Sequence, residues 1–312
     1  MDDAPIPAPS EARFAWNWRG RPVAAAYEEI GDGPAQVLCL PAFSTVSTRE
    51  ELRPLAVLLA EEGFRCSLVD WPGFGGSDRH GFEYGPTLLR AFLAAFAEGR
   101  RPALGVVACG HAAGYALELA RARPGLVGAL VLVAPTWRGP LPTAMGGHRR
   151  RVYAWVRRAV RAPVLGHLLY RANTSAPVLR LMMRRHVYSE AETVSPALVE
   201  AKRRVARRPG ARFGSAAFVT GALDPVDGRS AFLALLDPPP APTLLLRGEA
   251  TPPRSAAEMD AMAAAPGVES CRVPGALSPH EEHAAALAPP VMRFLDRHLA
   301  LRRGAVGRGT PR

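Results

Sequence analysis

Residues 104–120 read LGVVACGHAAGYALELA: an apolar run, a glycine-bounded turn, then a helical pattern. Gly110-His111-Ala112-Ala113-Gly114 has the G-x-S-x-G layout, in which a sharp strand-to-helix turn exposes a serine hydroxyl for attack on a carbonyl carbon. Ala112 stands in the serine's place, and a methyl group cannot attack. Such chemistry needs a nucleophile, a base within hydrogen-bond reach, and a carboxylate that orients the base. Neighbouring residues offer other combinations. Cys109 carries a thiol, but it ends the strand-like run, where its side chain packs in the sheet. His111 is a candidate acid–base beside the turn. His280, in His280-Glu281-Glu282-His283, is a second candidate base. The other reading of that cluster is an exposed helix start, with Ser278 as N-cap and acids in the first turn. Its ligand types suit a metal, but no zinc spacing is present, so neither metal nor other cofactor is expected. Asp224 and Asp227 are further acids with no partner evident in the sequence.

The elements that must position these groups follow from periodicity. Phe14 to Ile30 alternates, as two strands around the turn Arg19-Gly20-Arg21. Continuous apolar runs at Val37–Leu40, Cys66–Val69, Leu104–Cys109 and Ala129–Ala134 read as buried strands. Helical patterns at Glu50–Glu61, Thr87–Ala97 and Ala113–Arg121 separate them. The alternation stops at Trp137 and resumes with strands at Thr243–Leu246 and Cys271–Val273, and helices at Ser255–Ala264 and Pro290–Leu299. Apolar strands separated by helices imply an α/β fold, a mostly parallel central sheet with helices on both faces. The expected organisation is a core of residues 13–136 and 222–300, a helical basic insertion at 137–221, and disordered tails at 1–12 and 301–312.

The chain has 312 residues and a formal net charge of +11. From Trp137 to Phe213 there are 17 Lys and Arg against 3 acids, so all of the excess lies in the middle segment. Lys202 is the one lysine. The segment MDDAPIPAPSEARF has neither a basic n-region nor an apolar h-region, and the apolar run Gly125–Pro135 is too short to cross a bilayer. A cytoplasmic protein is expected, with its four cysteines reduced.

In its ordered series of motifs the sequence resembles the α/β-hydrolase superfamily. The run Leu38-Cys39-Leu40-Pro41-Ala42-Phe43-Ser44 is similar to the strand that ends in the family's His-Gly pair. Val69-Asp70-Trp71-Pro72-Gly73-Phe74-Gly75-Gly76-Ser77-Asp78 is similar to its D-x-P-G-x-G-x-S pattern, and Gly110–Gly114 to its elbow. The insertion after Pro135 stands where the family places its cap. The resemblance implies a catalytic acid at Thr251 and a catalytic histidine near Leu277, so all three triad positions are substituted. It also implies that backbone N–H groups of Ala113 and of Ala42 or Phe43 form an oxyanion hole, with Trp137 at the same pocket. His280 lies about three residues past the histidine position.

Two features therefore set the functional expectation. The first is a pocket of backbone donors without a triad, suited to bind a small apolar or acyl ligand between core and cap, with little or no catalysis. An alternative is a hydrolase, lyase or oxygenase that works through His111, His280 or Cys109. The second is residues 149–160, RRRVYAWVRRAV, an amphipathic basic helix. Either Val152, Trp155, Val156, Ala159 and Val160 bury on the core and the arginines stay in solvent, or Arg150, Arg151, Arg157 and Arg158 meet an anionic surface, such as acidic lipid headgroups or a phosphate-bearing acyl carrier. The latter would make this a peripheral membrane or scaffold protein. No motif for nucleic acid is present, and none is expected as a partner.

Overall fold

The structure, a computed structural model, describes residues 11–100, 103–146 and 151–299. Eight strands form one sheet in the order β1-β2-β4-β3-β5-β6-β7-β8. They are β1 (Glu11–Trp18), β2 (Arg21–Ile30), β3 (Ala35–Leu40), β4 (Phe64–Val69), β5 (Leu104–Cys109), β6 (Val127–Val133), β7 (Thr243–Gly248) and β8 (Val268–Val273). β1 and β2 pair antiparallel, as do β2 and β4, and the remaining pairs are parallel. The first strand takes in Glu11 and Ala12, which the expected tail had included; residues 1–10 and the other tail, 301–312, lie outside the described residues.

The helices of the first half are α1 (Arg53–Glu61), α2 (Pro86–Glu98) and α3 (Ala112–Ala122). Between β6 and β7 the chain is helical: α4 (Pro140–Ala144), α5 (Arg151–Arg161), α6 (Leu165–Asn173), α7 (Ala176–Met182), α8 (Pro196–Ala206), α9 (Ala211–Val219) and α10 (Arg229–Leu233). Then come α11 (Pro253–Ala263), α12 (Pro279–Glu282) and α13 (Ala284–His298). The expected start of the last helix at Pro290 is too late. Helix α13 runs through Pro289 and Pro290, which face outward, while Leu287, Val291, Phe294 and Leu295 bury on the sheet. A proline within a helix costs about 3 kcal/mol. Burying four apolar side chains, at roughly 1.5–3 kcal/mol for each large one, outweighs that.

Each face of the sheet has its own apolar layer. Val106 and Ala108 of β5 join the layer of α2 and α3, whereas Val107 and Cys109 join that of α1 and α13. The two-residue period of a strand thus sends Cys109 to the opposite side from Ala108. No helix among the described residues is long and apolar enough to cross a membrane.

The loop after β4 is held by one buried carboxylate. Asp70 accepts from the Arg49 and Gly76 amides at 2.6 and 2.7 Å, and from Arg49 Nη1 at 2.6 Å. Gly75 has φ +50°, and a Cβ there would lie 2.0 Å from the Asp70 carboxylate. The Trp71 indole donates to Pro41 O at 2.9 Å, fastening this loop to the one after β3. Burial raises the Asp70 carboxyl above its ordinary value, against the pull of Gly76 and Arg49.

Candidate functional site

The turn that joins β5 to α3 sits at the end of the central strands. Its left-handed residue is Gly110, at φ +54°, and a Cβ there would meet the Ala42 methyl at 3.0 Å. Ala112 is absent from the residues with positive φ; it is the first residue of α3 and is fully buried. A nucleophile turn works by holding its central residue in a strained conformation that pushes the side chain outward. Here the helix begins at that residue and the methyl points into packing.

The residues expected to line a pocket are packed against one another. Phe43 is 2% exposed and its ring centroid lies 4.8 Å from Trp71, 5.4 Å from Phe74 and 5.6 Å from Tyr115. Ala113 is buried, and its N–H donates to Gly110 O at 3.3 Å. Ala42 is half-buried. Trp137 is buried, and its indole donates to Glu258 at 3.4 Å. A cavity of about 450 Å³ opens elsewhere, beside the β1–β2 turn, lined by Trp18, Arg21, Phe82 and Leu88 among others.

Thr251 is buried, and its hydroxyl donates to Gly248 O at 2.6 Å, so it closes its own loop and carries no charge. Leu277 packs at the edge of the α2–α3 layer, and its N–H donates at 3.1 Å to Val187 O, in the π-turn that extends α7. Neither position holds a group that transfers a proton at neutral pH.

His111 has partners that the sequence did not reveal. Its Nδ1 lies 2.8 Å from Thr136 Oγ1, and its Nε2 lies 3.4 Å from Asp224 Oδ1. The expectation of an unpartnered Asp224 is corrected: it meets His111 and accepts from the Gly139 amide at 2.8 Å. The ring also lies edge-on to Phe218, with centroids 5.1 Å apart. Only Nδ1 is hydrogen-bonded: Nε2 is buried without a well-aligned donor or acceptor, so its approach to Asp224 is electrostatic. This arrangement positions the helical insert on the sheet.

His280 overturns the reading of an exposed helix start. It is 1% exposed and points into the layer of α1 and α13, beside Cys109 and with Nε2 4.0 Å from Glu51 Oε2. Neither ring nitrogen makes a well-aligned hydrogen bond, so these interactions are electrostatic. Burial depresses the imidazole, but Cys109 and Glu51 push it up further, to about 10. Ser278 makes no side-chain cap. The other members of the cluster divide. Glu281 binds Lys202 at 2.8 Å and accepts from Tyr188 at 2.6 Å. Glu282 accepts from the amides of Ser189 and Glu190 at 2.9 and 2.8 Å, which with the Ser189 hydroxyl hold its carboxyl below the ordinary range despite burial. His283 reaches Ser189 Oγ at 3.3 Å. Glu282 and His283 stay together, 3.5 Å apart beside Ser189, while Glu281 and His280 turn away from them toward Lys202 and Glu51.

Lys202 is the residue that sequence reasoning passed over. Its ammonium, on α8, lies 2.5 Å from Glu51 and 2.8 Å from Glu281. The signal was present: one lysine in a chain whose other cations are arginines. A compact ammonium fits between two carboxylates where a planar guanidinium does not.

The basic helix also departs from expectation. Helix α5 buries Tyr153 and not its whole apolar arc: Val152 is 42% and Trp155 68% exposed. Arg151 and Arg158 are exposed beside them and Arg157 is half-buried, while Arg150 lies outside the described residues.

The fold and the ordered loops around this turn define a class, and the sequence agrees. The chain belongs to the alpha/beta hydrolase family, whose model matches residues 37–289. Among solved structures it is similar to Cfl2 of Burkholderia cenocepacia, at 24% identity over 91% of this chain and 95% of that one, with a TM-score of 0.69. A probable hydrolytic enzyme of Pseudomonas aeruginosa matches at 21% identity over 92% and 94%, with a TM-score of 0.70. A thermophilic esterase of Thermogutta terrifontis matches at 21% identity over 93% and 99%, with a TM-score of 0.69. At these identities the likeness is one of fold. No functionally curated protein matches the sequence significantly.

Proposed function

We propose that this protein uses the hydrolase fold without a hydrolase's covalent chemistry, and acts by holding an apolar or acyl ligand between sheet and helical insert. The observation that carries this reading is Ala112: a methyl group, buried and helical, where the fold presents its nucleophile. Loss of the nucleophile alone lowers turnover on the order of a millionfold in a serine protease, after which acid and base have nothing to act on. Thr251 and Leu277 fit that account, as does the burial of His111, whose Nδ1 is taken by Thr136. The ligand class rests on Phe43, Phe74 and Phe218 near the turn, which are aromatic and uncharged; because Phe43 and Phe74 are packed and buried, binding there requires the insert to move off the sheet.

Two measurements test this together. Incubated with a panel of aryl esters and thioesters, the protein should release product no faster than buffer does. Mass spectrometry of its organic extract should show a co-purifying apolar or acyl compound. Hydrolysis that is lost on His280→Ala or Cys109→Ala overturns the proposal.

One observation favours a second reading. Cys109, His280 and Glu51 supply thiol, base and carboxylate in a single cluster. The thiol and imidazole are almost fully buried, so that reading requires an opening motion. Alkylation of Cys109 by iodoacetamide in the native protein, within minutes, would favour it. Protection until unfolding would exclude it.

A further inference from the structure

The eight large apolar side chains exposed among the described residues all lie within one short stretch of the helical insert. They are Val152, Trp155, Val164, Leu165, Leu168, Leu169, Leu181 and Met182. On α6, Leu165, Leu168 and Leu169 share one face at i, i+3 and i+4, and are 45–63% exposed, while Gly166 and Tyr170 are buried on the opposite one. Helix α7 repeats the pattern, with Leu181 and Met182 outward, Leu179 inward and Met183, just beyond it, inward. Val164, in the link between α5 and α6, is 74% exposed. Helices α5 and α6 pack together, as do α6 and α7, so the outward faces adjoin. Monomeric proteins rarely expose a contiguous apolar patch of this kind without a partner for it.

The charge says what the partner is. Residues 151–185 hold eight arginines and no acid. On α5, Trp155 is flanked by Arg151 at i−4 and Arg158 at i+3. Arg171, Arg180, Arg184 and Arg185 are exposed on α6, α7 and the π-turn. Among the described residues no carboxylate lies within ion-pair distance of Arg151, Arg157, Arg158, Arg171, Arg180, Arg184 or Arg185. A second copy of the chain would set this field against itself, so self-association through the face is opposed. Leucine and tryptophan bordered by arginine are what an interfacial helix presents: apolar groups enter the acyl boundary and guanidinium groups stay with the headgroups.

We infer that α5, α6 and α7 form a docking face for an anionic lipid bilayer. Trp155, Leu165, Leu168 and Leu169 insert at the interface, and the arginines bind phosphate and carboxylate headgroups. This goes beyond the site at Ala112 and holds whether or not that site takes a ligand.

The experiment is flotation of the full chain with phosphatidylcholine vesicles, with and without phosphatidylserine. Binding is expected to phosphatidylserine vesicles alone, and should weaken steeply toward about 1 M salt, where the screening length falls to about 3 Å. Arg151→Gln with Arg158→Gln should weaken it about 30-fold, at roughly one kcal/mol per arginine near an anionic surface. Trp155→Ser with Leu168→Ser should weaken it by on the order of tenfold or more. Both pairs should keep the thermal midpoint, because these side chains are exposed. Four results overturn the inference: no binding, equal binding to neutral vesicles, indifference to either pair of substitutions, or a loss of fold in those variants, which would mean that the face is packed. Sedimentation velocity showing a dimer that the same substitutions dissolve would likewise assign the face to a second copy.

Discussion

Replacing Lys202 by methionine keeps most of the length of the side chain and removes its charge. In the native protein Lys202 is buried and reaches Glu51 at 2.5 Å and Glu281 at 2.8 Å. Burial opposes the ammonium, yet Glu51 and Glu281 raise it above its ordinary value. Glu51 is buried too; burial pushes its carboxyl up, and Lys202 and His280 together bring it below the ordinary value. With the ammonium gone, Glu51 is a buried charge with only His280 beside it. Breaking a buried pair from one side costs about 3–5 kcal/mol. The same pair joins α8 of the insert to the segment before α1, so the loss should loosen the insert first. Urea denaturation at pH 8 should show that cost. The cost should shrink toward pH 5, because an unpaired, buried Glu51 takes up a proton and ceases to be an orphaned charge. Glu51→Gln with Lys202→Met should recover much of it. A change below about 1 kcal/mol at pH 8, or one that is the same at pH 5, would refute the reasoning.

His280 is raised to about 10 in the native protein, so its protonated form stabilises fully below about pH 6.5, and the contribution disappears as pH rises toward 10. Stability should therefore fall by roughly 2–5 kcal/mol across that window, and the fall should flatten in His280→Gln; equal slopes in the two proteins by urea titration would count against it. Gly75→Ala places a Cβ against the Asp70 carboxylate at a left-handed residue, and calorimetry should show a loss of at least about 2 kcal/mol. Ala112→Ser alone should yield no ester hydrolysis and no fluorophosphonate adduct, since residue 112 and His111 are both buried and Leu277 is no base; labelling of that single variant would show that the turn can present a nucleophile. Asp224→Ala, which leaves His111 Nε2 buried without its carboxylate, should cost about 1–3 kcal/mol by urea melt.

The parallel sheet was legible because each buried strand is a continuous apolar run and each covering helix has its own period. Leu104–Cys109 has the same limits in sequence and structure. Pro289 and Pro290 misled for a local reason: proline ends helices when nothing opposes it, and burial of α13 opposes it. The residue types at Ala112, Thr251 and Leu277 were legible one residue at a time, since a side chain's chemistry needs no coordinates. What filled the space was not visible. Periodicity ranks how apolar a face is, but not which way the face turns. Helix α5 has an apolar arc in both accounts, and only packing decides that Tyr153 lies inside it while Trp155 lies outside.

The sequence by itself determined which groups exist and on which elements they ride: a strand, a glycine turn and a helix with alanine at the point of attack, and a helical segment that carries the chain's whole excess of positive charge. Tertiary structure alone decided the partnerships. His111 meets Asp224 across 113 residues, Lys202 meets Glu51 across 151, and His280 faces Cys109 on the far side of the sheet from Ala108. Local propensity acts over a few residues and fixes period and turn. An ion pair between distant segments depends on how layers stack, and that is set by the burial of every apolar side chain at once.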